Sequence, residues 1–257
     1  MEEQKLGFNE QTRGVGEQTR SVGAQNLTMG DGFVGMLNAF VDPAGAAKRV
    51  PAPLSWLWPV ILLSILTIVL GYAMTPYQLS LADAQISQRG LSAEQMERAR
   101  SITHTITQFT IPAAPVIVIG FLALFAWLIG LVGSMLGMRS KFRDVFSLLA
   151  ACSLIPALQS IATYIVIRAK GDEITTPEQL TPPFGLDIVL QNVHGALLAI
   201  LNYFSIFQIW YLIVLTFGLA YLTKSSKGKA FAAITPAWLV PLFLRIVQAM
   251  FQGTTNS

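Results

Sequence analysis

The chain has 257 residues, of which 53% are hydrophobic and only 12% charged, with a formal net charge of +3. A soluble domain carries roughly 25% charged residues, so this chain holds about half the charge a fully wetted surface uses. A mean hydropathy of +0.55 points the same way, which excludes a soluble globular enzyme and gives no reason to expect a nucleic-acid partner.

Residues 1–31 are polar, with Glu10-Gln11-Thr12-Arg13 recurring as Glu17-Gln18-Thr19-Arg20. The period of seven lacks the two apolar positions a coiled coil requires. Too few apolar side chains are present to offset the cost of ordering the backbone, so a disordered tail is expected. The first long apolar run begins only near Leu54, so no secretory signal peptide is expected.

Residues 32–53 form an amphipathic, membrane-proximal segment. Phe33, Val34, Met36, Leu37, Phe40 and Val41 are spaced as on one helix face, and Asp42-Pro43 turns the chain. Such a helix lies either on the membrane surface or on the protein's own bundle.

A spanning helix needs ~20 apolar residues to cross ~30 Å of hydrocarbon. Five segments qualify, at about 54–74, 111–136, 145–167, 200–222 and 230–251. They predict an all-α polytopic transmembrane bundle over 54–251. Trp56 and Trp58 stand at the start of the first span as interfacial anchors. Before the second, Ser92 and Gln95 have capping-box spacing, which predicts a helix leading into the span. The third holds Pro156, with Ser153, Gln159 and Ser160 around it, and the fifth holds Pro236 and Pro241. A proline removes one backbone bond and kinks its helix. Leu186–Leu201 is apolar, with no turn separating it from the fourth span. One helix extending outward or a re-entrant piece fits it better than a sixth span.

Basic residues in short loops mark the cytoplasmic side. Arg139, Lys141 and Arg143 fill one short loop, Lys224, Lys227 and Lys229 another, and Lys48-Arg49 precede the first span. Five spans put all three clusters on one face, with the N-terminus inside and the C-terminus outside. A sixth span between the two loops would separate them.

Arg245 is the one full charge within a predicted span. It either snorkels to the outer interface or faces a polar cavity. Gln159, Gln208, Arg245 and Gln248 are the candidate intramembrane polar cluster. The two basic loops are candidate contacts for acidic lipid head groups or a protein partner, and self-association is also compatible with the pattern. Gly133 to Gly137 is a GxxxG motif that would permit close helix approach. Cys152, the single cysteine, allows no intrachain disulfide and reads as a buried apolar residue. His104 and His194 have no partner at ligand spacing, so no metal or cofactor is expected. No convergent acid–base pair suggests an enzyme.

The run Tyr203-Phe204-Ser205-Ile206-Phe207-Gln208-Ile209-Trp210-Tyr211-Leu212, continuing through Gly218-Leu219 to Ser225-Ser226-Lys227-Gly228-Lys229-Ala230, resembles the C-terminal signature of the Yip-domain family of Ypt/Rab-interacting membrane proteins. Phe142-Arg143-Asp144-Val145 with Leu154-Ile155-Pro156-Ala157-Leu158 is similar to the family's third span, and Phe40-Val41-Asp42-Pro43 to its opening. The likeness covers about residues 35–250. It implies five spans, a cytoplasmic N-terminus and an exported C-terminus. Eukaryotic relatives act with prenylated GTPases in vesicle traffic and carry an Asp-Leu-Tyr-Gly-Pro motif, which this sequence lacks. The long 75–110 connection resembles the bacterial branch, which implies a plasma-membrane protein. The leading expectation is a non-enzymatic scaffold or adaptor working through the basic loops. The alternative is a small-solute transporter or channel using the kinked third and fifth spans. Convergence of the polar cluster on a solvent-reachable cavity at mid-membrane would favour the alternative; side chains that point apart, or an Arg245 that reaches the outer head groups, would favour the adaptor.

Overall fold

The computed structural model describes residues 27–88, 92–170, 180, 184–186 and 195–254. Nine α-helices of at least one full turn are found among them: α1 (Met29–Asn38), α2 (Pro43–Arg49), α3 (Leu57–Gln88), α4 (Ala93–Met135), α5 (Phe142–Cys152), α6 (Leu154–Lys170), α7 (Gly195–Tyr203), α8 (Ile206–Thr223) and α9 (Lys227–Thr254). The expected disordered tail falls largely outside the described residues, although its last positions, Met29 to Asp31, already belong to α1.

Five runs are long and apolar enough to cross a bilayer: Leu57–Ser87, Ala93–Met135, Phe142–Lys170, Ile206–Thr223 and Lys227–Val247. The third is 50% buried within the protein and the others 17–33%. The α5–α6 run is therefore the axis, and most apolar surface of its neighbours faces outward, as a hydrocarbon solvent allows. Val145, Leu148, Leu149, Cys152 and Ile155 are at most 1% exposed. They share one core with Ile129 of α4, Leu215 and Leu219 of α8, and Ile234 of α9. The α8 contact is close because Gly218 has no side chain. A Cβ there would lie 2.8 Å from a terminal carbon of Leu148.

The third span is two helices in line, parted at Ser153. Pro156 has no N–H for the turn before it, and its ring crowds the carbonyl of Cys152, so the helix yields three residues upstream. Ser153 bonds back through its hydroxyl to the Leu149 carbonyl at 2.8 Å. In contrast, α9 runs through Pro236 and Pro241 without interruption.

Residues 187–194, on which the expected outward or re-entrant piece falls, lie outside the described residues; the described part of the stretch before the fourth span, α7, does not run on into it. The chain breaks at Phe204-Ser205, and α8 starts at Ile206 rather than near residue 200. Ser205 caps α8, its oxygen accepting from the Gln208 amide at 3.1 Å, which satisfies a donor that the new helix would otherwise orphan.

The α3–α4 hairpin is longer than a span. At 1.5 Å per residue the 43 residues of α4 reach ~65 Å, about twice the hydrocarbon thickness. Its far end opens with the expected capping box, Ser92 N–H to Gln95 Oε1 at 3.0 Å and Gln95 N–H to Ser92 Oγ at 3.3 Å. Arg100 Nε meets Asp83 Oδ1 at 3.0 Å and clips the two long helices together there. At the near end, α4 stops inside the GxxxG motif. Gly137 takes φ +76°, its N–H bonds the Ser134 carbonyl, and Met138 N–H bonds the Gly133 carbonyl. This is a Schellman ending, so the second glycine terminates a helix rather than packing one.

The amphipathic segment forms two short helices on the bundle. Asp42 caps α2 by accepting from Gly45 N–H at 2.8 Å, and Pro43 is pre-set for its first turn. Ala39 and Ala46 join Ala151 in a small core, and α2 lies along α8. The other face of α1 carries Phe33, Val34 and Leu37, each more than 40% exposed.

Candidate functional site

The two ends of the bundle differ in charge. The loops joining α4 to α5 and α8 to α9, together with α2, put Lys48, Arg49, Arg139, Lys141, Arg143, Lys224, Lys227 and Lys229 at one end. The candidate contact residues there divide by role. Arg143 reaches the Pro51 and Ala52 carbonyls at 3.0 and 3.4 Å. It ties down the loop before α3, where Ser55 bonds Val50 O at 2.6 Å and Ser147 Oγ at 3.2 Å. Lys227 lies 4.1 Å from the centre of the Phe217 ring. Lys224 occupies a left-handed position, φ +51°, at the end of α8. Arg139, Lys141 and Lys229 are exposed, and no hydrogen bond of their side chains to another described residue is formed.

The polar cluster lies elsewhere. An open cleft of about 520 Å³ is bounded by α3, α6, α7, α8 and α9, and Gln159, Gln208 and Arg245 all line it. Leu66 and Gln78 mark its extent along α3. At 1.5 Å per residue they stand ~14 and ~32 Å from Leu57, so the cleft occupies the half of the bundle away from the basic loops. Thr67, Gln78, Pro156, Ser160, Thr163 and Asn202 add to the wall; Leu66, Leu70 and Met74 of α3 and Leu180 are its apolar part, while Phe184 stands at the start of α8, 5.8 Å from the Phe207 ring. The fourth member of the expected cluster, Gln248, lies outside the described side chains.

Gln159 is brought in by the turn of α6 after Pro156. Its Oε1 accepts from the Ser205 hydroxyl at 2.8 Å, so the cap of α8 also joins α8 to α6. Gln208 Nε2 approaches Tyr203 Oη at 3.5 Å. Tyr203 Oη in turn donates to the Trp238 carbonyl at 2.5 Å. That carbonyl lies three residues before Pro241, in the turn whose hydrogen bonding the proline weakens. The Arg245 guanidinium lies 5.6 Å from the Tyr203 ring centre, within cation–π range. Trp238 packs on Tyr203 and Phe204 at 5.2 and 5.4 Å. Its buried Nε1 has no hydrogen-bond partner among the described residues.

Among the described residues lining the cleft, Arg245 is the one charged group. No carboxylate faces it there, and neither its guanidinium nor the Gln159 amide nitrogen donates a hydrogen bond to a described residue. The cleft therefore offers spare donors and one positive charge beside an apolar wall. Tyr203 and Ser205, which organise it, are absent from the sequence-derived set. Ser205 was readable, since Ser205-Ile206-Phe207-Gln208 repeats the spacing of Ser92 and Gln95.

The helices and the apolar surface they expose define a multi-pass α-helical membrane protein. A family model described as the Yip1 domain matches residues 37–247, and the chain belongs to that family. No curated protein and no solved structure matches it.

Proposed function

We propose that the chain is a non-enzymatic membrane protein that takes a small ligand into the cleft, in the manner of a solute carrier. The observation that supports this is convergence: Gln159 of α6, Gln208 of α8 and Arg245 of α9 come from three helices to line one open cleft. A broken spanning helix with polar neighbours lining the cleft, as α5–α6 is at Ser153, is a recurring carrier arrangement. By the positive-inside rule the basic end lies in the cytoplasm, the cleft opens toward the other side, and a bacterial plasma membrane is the expected location.

The test is chemical access in intact cells. A cysteine placed at Gln159 or Gln208 should react with a membrane-impermeant maleimide added outside, whereas Cys152, fully buried, stays silent. No labelling at either position, with labelling of a cysteine at exposed Gln85, outside the cleft, as the control, removes the cleft from the functional account.

A scaffold role at the other end is the second reading. It is favoured by the exposed Arg139, Lys141, Lys224 and Lys229 beside the apolar outer face of α1. Neutralising these four charges should release any partner captured in mild detergent, and an unchanged set of partners would count against it.

A further inference from the structure

The cleft is built in two halves, and the halves call for different chemistry. Arg245 and the Gln159 amide nitrogen present N–H groups with no acceptor among the described residues, and no carboxylate among the described lining residues offsets the charge. Leu66, Leu70 and Met74 follow one another at one-turn spacing on the facing wall of α3. Gly71 keeps that wall close to α4, since a Cβ there would meet Ile111 at 3.1 Å. A small hydrophilic solute would satisfy the first half and leave the second wetted. An uncharged chain would fill the second and leave the Arg245 guanidinium, exposed in the open cleft, with no anionic partner among the described lining residues.

We infer that the cleft binds an anion-headed, single-chain amphiphile, its anionic group on Arg245 and Gln159 and its chain along Leu66, Leu70 and Met74. Charge complementarity sets the head, because a guanidinium binds planar carboxylate or phosphate oxygens through paired N–H groups. Size sets the rest. A volume of about 520 Å³ lies within the ~300–1,000 Å³ of sites for one small ligand, and it cannot enclose a whole two-chain phospholipid. Two sources share this chemistry, a fatty carboxylate and a single-chain phosphate ester. The inference rests on reading the cleft as a binding site, and it adds the class of ligand.

The test uses the full chain in phosphatidylcholine nanodiscs, with empty discs as the partition control. Dodecanoate, dodecyl phosphate and dodecanol are titrated in turn, and benzoate and inorganic phosphate serve as soluble anions. At least one twelve-carbon anion should bind saturably, about tenfold or more tighter than dodecanol. The two anions compared with each other identify the head group. Arg245→Gln should weaken the anion about tenfold and leave dodecanol unchanged. Leu70→Trp, which fills the chain side, should weaken both. Matching thermal midpoints for the variants and wild type exclude misfolding as the cause. Equal binding of dodecanol and the anions, insensitive to Arg245→Gln, overturns the anionic half. Benzoate or phosphate binding as tightly as the twelve-carbon anions overturns the apolar half and leaves the small-ligand reading standing. Maleimide access at Gln159 without saturable binding of any probe overturns the inference while leaving an open cleft. Loss of both access and binding removes both.

Discussion

The hydroxyl of Ser205 donates to Gln159 Oε1 at 2.8 Å while its oxygen accepts the Gln208 amide at 3.1 Å. One buried side chain, 1% exposed, thus starts α8, fastens it to α6, and holds one wall of the cleft. Ser205→Ala should remove a cap, generally worth about 1 kcal/mol, and leave Gln159 Oε1 without its partner, costing a further ~1 kcal/mol. The measurement is the unfolding midpoint in detergent against Ser160→Ala, whose hydroxyl bonds its own helix at 3.4 Å on an exposed face and should change little. Equal effects of the two substitutions would show that the link carries no weight.

Arg143 and Lys229 belong to the same basic end yet should behave differently. Arg143→Ala frees the Pro51 and Ala52 carbonyls and loosens the loop before α3, with an expected cost of about 1 kcal/mol after allowance for its exposure. Lys229→Ala has no such contact among the described residues and should lie within ~0.5 kcal/mol of wild type. Protease sensitivity near residues 50–56, followed by mass spectrometry, reads the difference directly.

Lys224 ends α8 with φ +51° and ψ +38°, a conformation costing a residue with a Cβ about 1 kcal/mol. Lys224→Gly should therefore raise the thermal midpoint although it deletes a charge from the basic end. A lower midpoint would mean that the lysine's charge outweighs its backbone strain.

At the N-terminus of α1, Asp31 accepts from the Thr28 amide at 2.6 Å and from its hydroxyl at 2.8 Å. These bonds favour the charged form and lower its pKa below the ordinary 3.8, the backbone bond contributing most. Because the folded value is the lower one, the stabilisation is complete above the unfolded pKa and is lost as pH falls through the folded value. Protection of the Met29 to Gly32 amides, measured against the intrinsic exchange rate at each pH, should fall below about pH 4, and Asp31→Asn should show the lower protection already at neutral pH. No change in the exchange profile between the two proteins would rule out the cap.

The spanning runs were legible because lipid imposes a length and a composition that no packing detail overrides. The capping box at Ser92 was legible because it is local. The break at Ser205 was equally local, but Leu186–Leu201 and the fourth span form one apolar stretch, and hydropathy masks a polar cap inside such a stretch. Arg143 reads as one more loop cation until its carbonyl partners at Pro51 and Ala52, some ninety residues away, are seen. Gln159, Gln208 and Arg245 could be singled out for polarity in apolar surroundings. That they face one cleft depends on how α6, α8 and α9 are rotated about their axes, which sequence spacing within each helix leaves open.

The unequal lengths of α4 and α8 bear on how the protein tolerates its host bilayer. The far end of α4, with Glu94 paired to Arg98 at 2.7 Å, can rise or sink by several ångströms at little cost. The 18 residues of α8 cover only ~27 Å and leave no such slack. Hydrophobic mismatch is therefore absorbed along α4 and concentrated on α8. A thicker membrane pulls first on Ser205 and the polar side chains it orients, so lipid composition reaches the cleft through the shortest helix.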